Sequence, residues 1–97
     1  MLALSVPAMA QDDNKATIDA ITKVIKSKPA DLEDQVKAVY KKNKKNEDVL
    51  VAMGRAFLDI KDTVNATQYV EYALKANKKY APAFILQGDI AALNNDG

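Results

Sequence analysis

The 97-residue chain is 48% hydrophobic and 28% charged, which suffices for one small core, because a second core needs roughly a hundred further residues. Fourteen basic against 13 acidic residues give a formal charge of +1, which excludes a general electrostatic attraction to nucleic acid or anionic lipid. The chain contains no Cys and no His, so disulfides, thiolate nucleophiles, Cys/His zinc sites and the commonest general base are excluded. The sequence therefore predicts no catalytic residues, no enzyme activity, no cofactor and no metal site.

The first ten residues differ in composition from the rest of the chain. They carry no charge, and the chain becomes polar directly afterwards, at Gln11-Asp12-Asp13. Ala8 and Ala10 flank Met9 in the A-x-A pattern of signal-peptide cleavage, and Pro7 disfavours a helix that continues to the cut. We interpret residues 1–10 as the remnant of a signal peptide, which predicts a periplasmic, cell-surface or secreted mature chain over residues 11–97. The alternative is an apolar tail that packs on a neighbouring helix.

Apolar residues from Asn14 onward recur at helical spacing, which predicts an all-α fold of five antiparallel helices. The first helix ends near Pro29, because the residue before a proline avoids the helical region. The second carries acidic residues in its first turn and lysines near its end, in agreement with the helix dipole. We expect Asn46 to cap the third helix, which reaches about Asp59.

The fourth helix is predicted to begin after a cap at Asp62 or Thr63. The fifth begins near Pro82, because proline is tolerated in a first turn, and ends before the turn signal at residues 94–97. None of these segments is apolar over the roughly 20 residues that a bilayer requires, so the chain is not predicted to span a membrane.

Two glycines lie in the middle of predicted helices and are separated by 34 residues, Gly54 and Gly88. A period of about 34 with small and large residues at matching offsets resembles the tetratricopeptide repeat. The residues that carry the resemblance are Leu50, Met53, Gly54, Phe57, Ala66, Val70 and Ala73. Leu50, Val70 and Lys78 depart from the family, which prefers Trp, an aromatic residue and Pro at these places.

The resemblance implies an α-α superhelix of two and a half repeats. Residues 13–46 form a degenerate or capping repeat, residues 47–80 the best repeat, and residues 81–97 half of a further one. Within this arrangement, Gly54 and Gly88 are expected to allow close helix contacts.

The same resemblance implies that the first helix of each repeat lines a concave groove that binds a protein or peptide partner. The residues expected in this predicted groove are Asp48, Val51, Arg55, Leu58, Asp59, Ile85, Leu86 and Asp89. The Lys and Asn clamp of some family members is absent, since Val51, Arg55, Ile85 and Asp89 occupy the corresponding places. A position inside the core is the alternative for each apolar residue of the set.

Three further hypotheses concern the ends and the charges of the chain. The alternative to a partner-binding role is that the helices form a structural N-terminal cap of a longer repeat protein, whose functional part lies downstream of Gly97. If the chain is complete, its exposed half repeat predicts a homodimer. The lysines at 41, 42, 44 and 45 have only Tyr40 nearby, on the predicted apolar face, so we interpret them as a solvated helix end and predict no nucleic-acid partner.

Overall fold

A computed structural model of the protein describes the backbone of residues 6–96 and the side chains of residues 14–95. Within these residues the chain forms five helices and no strand, which confirms the all-α prediction. The helices are α1 (Val6–Ser27), α2 (Leu32–Lys42), α3 (Glu47–Asp59), α4 (Thr63–Ala76) and α5 (Ala81–Asp96). None of them is long and apolar enough to cross a membrane.

The caps of the two central helices are those that the sequence predicts. Asn46 Oδ1 accepts a hydrogen bond from the Val49 amide at the start of α3, at 3.3 Å. Asp62 Oδ1 accepts one from the Asn65 amide at the start of α4, at 3.1 Å. Each cap satisfies a backbone amide that has no partner within the helix, which fixes where the helix begins.

The outer ends of the helical array differ from the prediction. Helix α1 begins at Val6 rather than near Asn14, and Pro7 occupies its first turn, where a missing N–H breaks no intrahelical bond. Helix α5 continues through the expected turn signal to Asp96, because asparagine is only a weak helix breaker. Residues 1–5 and Gly97 lie outside the described residues, and the signal-peptide interpretation stays a prediction.

Helix α3 is the centre of the fold. It packs against α1, α4 and α5, while α2 packs on α1, and α4 also contacts α5. Helices α1, α3 and α5 are therefore neighbours in one layer, with α2 and α4 covering α1 and α3. The core that these contacts bury contains Ile21, Ile25, Val49, Leu50, Met53, Val70 and Leu86, all at most 2% exposed.

Gly54 and Gly88 lie in different environments. A Cβ placed on Gly54 would lie 2.9 Å from Leu86 Cδ2 and 3.3 Å from the Ala66 carbonyl oxygen, so the close approach predicted there is confirmed. A Cβ on Gly88 would meet nothing within 4 Å, and the predicted contact there is wrong. The physical reason is that α4 covers this face of α3, whereas no described helix covers the equivalent face of α5.

Candidate partner-binding site

Two residues of the predicted groove belong to the core. Leu86 is 0% exposed and contacts the Gly54 position, and Val51 is 9% exposed within the packed face of α3. Neither side chain offers a partner a surface in this conformation. For both residues the core position, which the sequence left as the alternative, is the observed one, because α3 is covered on three sides.

Arg55 and Asp89 form an ion pair across the groove. Arg55 Nη1 lies 2.6 Å from Asp89 Oδ2, and the two side chains remain 41% and 50% exposed. The residues are 34 positions apart, so they occupy equivalent places on α3 and α5. The Arg55 guanidinium, which was predicted to contact a partner, is therefore paired with a carboxylate of the same chain.

The other acidic residues of the predicted groove are also engaged. Tyr80, immediately before α5, donates a hydrogen bond from its hydroxyl to the Asp48 carboxylate at the start of α3. Asp59 Oδ2, at the end of α3, lies 3.3 Å from Lys26 Nζ of α1. Each contact connects α3 to a neighbouring helix or to the turn that precedes it. These polar contacts therefore connect α3 to α1 and to the start of α5.

Burial and the Asp48 carboxylate raise the pKa of Tyr80 to about 12. Glu47 contributes to the same shift as a further nearby negative charge. The phenol consequently stays protonated at neutral pH and remains a donor to Asp48. The raised pKa moves the loss of this hydrogen-bond donor further into the alkaline range.

Apolar surface is exposed at the two remaining residues of the predicted groove, Ile85 and Leu58. Ile85 is 61% exposed and lies one turn before Asp89 on the same side of α5. Leu58 is half-buried and lies one turn after Arg55 on α3. The predicted groove is therefore a small apolar surface next to charges that are paired within the chain.

A second surface was missed by the sequence analysis: a groove of about 570 Å³ between α2 and α4, which we call the α2–α4 groove. Its floor contains Tyr40 and Tyr69, and Tyr72 stacks on Tyr40 with ring centres 4.3 Å apart. Lys41 and Lys44 of the lysine run lie along it, whereas Lys42 lines a different groove, between α1 and α2. The offset of 32 between Tyr40 and Tyr72, close to the 34-residue offset of Gly54 and Gly88, was the signal available in the sequence.

Burial raises the pKa of Tyr69 to about 12, with smaller contributions from the neighbouring Tyr72 and Tyr40 hydroxyls. Its ring lies parallel to that of Phe57, with centres 5.7 Å apart, and meets Tyr40 edge to face. Tyr69 is therefore a neutral core residue at physiological pH, and it joins α4 to both α3 and α2.

Comparison of the chain with protein-family models, with curated proteins and with solved structures finds no match.

Proposed function

We propose that the chain is a tetratricopeptide-like helical-repeat module that binds a peptide or helix of a partner protein on the layer formed by α1, α3 and α5, and performs no chemistry. The 34-residue offset of Arg55 and Asp89 supports the repeat interpretation, because adjacent repeats place equivalent positions of their first helices side by side. The packing of α3 against both α1 and α5 supports it as well.

The observation that carries the binding role is the exposure of Ile85. A β-branched aliphatic side chain at 61% exposure, beside charges that are already paired, offers apolar area without a free ion to desolvate. Leu58 adds half-buried apolar surface on the neighbouring helix. A partner would contact this surface with one or two apolar anchors, in the manner of groove-bound helices.

The experiment compares Ile85→Glu with Val64→Glu in a pull-down from envelope extract. Val64 is 80% exposed on α4 and lies outside the predicted groove, so it is the same type of substitution on another surface. We expect Ile85→Glu to lose a partner that Val64→Glu and the unaltered chain retain. Equal recovery by all three proteins would reject the binding role of this surface.

The proposed location is the cell envelope, and its support is the A-x-A pattern within residues 1–10. Expression of the gene with its natural start, followed by mass spectrometry of the envelope fraction, tests it. A mature N-terminus at Gln11 is expected. An uncleaved chain that is confined to the cytoplasm would contradict the proposal.

The outer face of α5 favours a second candidate role, association with a second copy of the chain. Phe84 is 50% exposed, and Gly88 next to it has open space where Gly54 has a packed helix. Ala91, one turn further, is exposed on the same face. An antiparallel pair of α5 helices that cross at Gly88 would place each Phe84 against the small residue Ala91 of the other copy.

Charge supports this pairing, because α5 contains no Lys or Arg and its Asp89 is paired with Arg55. Two α5 helices therefore meet without repulsion between cations, and antiparallel dipoles are favourable. The contact is small, so we expect a weak, concentration-dependent dimer, measured by sedimentation equilibrium from about micromolar to about millimolar protein.

Phe84→Glu should shift the dimer equilibrium to monomer, while Val64→Glu should not change it. If the protein is monomeric throughout the concentration series, the proposal that a second copy binds the outer face of α5 is rejected. The next helix of a longer repeat array, with the chain as its structural N-terminal cap, would then be the candidate for this face.

A further inference from the structure

The α2–α4 groove carries an inference that goes beyond the proposed function and concerns a different surface. It is lined by residues of α2, of α4 and of the turn after α2, and it shares none of them with the predicted groove. Its volume is about 570 Å³. A segment of a few residues fits such a space.

The groove is lined by cations that form no salt bridge with any described residue. Lys37, Lys41 and Lys44 line it, and among the described residues none of the three ammonium groups lies within salt-bridge distance of a carboxylate. Glu33 is the one acidic side chain in the lining. The contrast with the predicted groove is clear, because Arg55 there is held by a carboxylate of the same chain. The α2–α4 groove therefore offers positive charge that an external anion could neutralise.

The opposite wall offers hydrogen-bonding groups. Gln68 and Tyr72 of α4 face the lysines across the groove. The exposed Gln68 amide makes no hydrogen bond to any other described residue, and an amide can both donate to and accept from a peptide backbone. One wall thus suits carboxylates and the other suits a main chain, which is the combination that an extended acidic peptide requires.

The aromatic floor does not suit nucleic-acid bases. Tyr40 is stacked on Tyr72, and Lys44 Nζ lies 6.0 Å from the centre of the Tyr40 ring. Tyr69 is stacked on Phe57 inside the core. Base stacking needs a free aromatic face, and stacking within the protein already occupies one face of each of these rings. The groove chemistry therefore favours carboxylates over bases.

The lysine spacing indicates the register of the ligand. Lys37 and Lys41 are one turn apart on α2, which separates their Cα atoms by about 6 Å. Alternate residues of an extended chain are separated by about 6.6 Å and point to the same side. From this match we propose that the α2–α4 groove binds an extended segment of a partner protein with acidic residues at alternate positions.

The test uses a fluorescein-labelled peptide of alternating Glu and Ser, about ten residues long, titrated with the full chain and followed by fluorescence anisotropy. The matching Gln and Ser peptide is the neutral control for the ligand. On the protein, Lys37→Glu/Lys41→Glu is compared with Lys42→Glu/Lys78→Glu. The two double variants have the same net charge, but Lys42 and Lys78 lie outside the α2–α4 groove.

We expect the Lys37→Glu/Lys41→Glu variant to bind the Glu and Ser peptide about tenfold or more weakly, and the control variant to bind within about twofold of the unaltered chain. The neutral peptide should not bind. Lys37→Gln/Lys41→Gln provides a milder change with the same expected direction, and circular dichroism verifies that each variant keeps its helices. Arg at both positions should retain binding, since it preserves the charge.

Three results would overturn the proposal. The first is an equal loss in the two charge-matched variants, which would show a response to net charge alone. The second is no binding of the Glu and Ser peptide to the unaltered, folded chain. The third is tighter binding of a single-stranded oligonucleotide with the same dependence on Lys37 and Lys41, which would make nucleic acid the occupant.

Discussion

Arg55 Nη1 lies 2.6 Å from Asp89 Oδ2, and the 34-residue separation of these two residues equals that of Gly54 and Gly88. Helices α3 and α5 are thus related by one sequence offset at a polar surface position and at a small-residue position. The two residue pairs differ in what they contact. Arg55 and Asp89 contact each other and connect α3 to α5. Gly54 packs against α4 and α5, whereas Gly88 has no neighbour within 4 Å of its Cβ position.

The Arg55 and Asp89 pair is expected to contribute little to the free energy of unfolding. Both side chains are about half exposed, so water and salt screen their attraction. A double-mutant cycle with Arg55→Ala and Asp89→Ala should give a coupling free energy of at most about 1 kcal/mol, which decreases with added salt. A coupling that is large and insensitive to salt would show that the pair is shielded from solvent in solution.

Alanine substitutions at the two glycines should have opposite effects on stability. At Gly88 a Cβ meets open space, so Gly88→Ala is expected to raise the free energy of unfolding by about 0.5–1 kcal/mol through helix propensity. At Gly54 the Ala66 carbonyl and Leu86 must move, so Gly54→Ala should lower it by about 1 kcal/mol, and Gly54→Leu by about 1–3 kcal/mol or more. Urea denaturation of the variants measures both effects.

A stabilising Gly54→Ala would mean that the contact of α3 with α4 and α5 is looser than the structure has it. A destabilising Gly88→Ala would mean that a helix does cover α5 in solution. The second result would also favour the proposed dimer, because the substitution would then fall in its contact. Light scattering on the same variant separates a change of folding from a change of association.

Local features of the fold could be predicted from the sequence, and features that depend on helix placement could not. The caps at Asn46 and Asp62 could be predicted from a few adjacent residues. The close helix contact at Gly54 could be predicted from the spacing of small and large residues in α3 and α4. The stacking of Tyr40 on Tyr72 depends on how α2 lies beside α4, which no local pattern determines. For this reason the sequence could associate only Tyr40 with the lysine run, and not Gln68 and Tyr72 of α4.

The site was predictable to a similar extent. The sequence assigned charged and apolar residues of α3 and α5 to one predicted groove, but it could not separate the exposed Ile85 from the buried Leu86. These neighbours differ because α5 rests on α3 and α4 with the side that contains Leu86. Nor could it show that Arg55 is paired, since the pairing depends on the register between two helices.

Lys61 offers a stabilising substitution in the turn between α3 and α4. Its φ is 64°, in the left-handed region, and the Asp62 amide donates to the Phe57 carbonyl in the six-to-one bond of a Schellman motif. Glycine adopts this conformation without the steric cost of a side chain. Lys61→Gly should therefore raise the free energy of unfolding by about 0.5 kcal/mol, measured by urea denaturation, after allowance for the greater entropy of glycine in the unfolded chain. Lys61→Val should lower it, and a stabilising Val would exclude a left-handed residue here.

Tyr69 should make the protein sensitive to alkaline pH. Burial raises its pKa in the folded chain to about 12, whereas the unfolded chain has the ordinary value of about 10. Below pH 10 the phenol is protonated in both states, and the stabilisation linked to the raised pKa is fully present. As the pH rises from about 10 to about 12, the unfolded chain releases this proton first, so the free energy of unfolding falls.

Tyr69→Phe removes the titrating group and should make this fall shallower, while the stacking on Phe57 is kept. Urea denaturation of both proteins at pH 7 and at steps between pH 10 and 12 measures the difference. The same slope in both proteins would show that Tyr69 titrates in the folded chain as it does in the unfolded one.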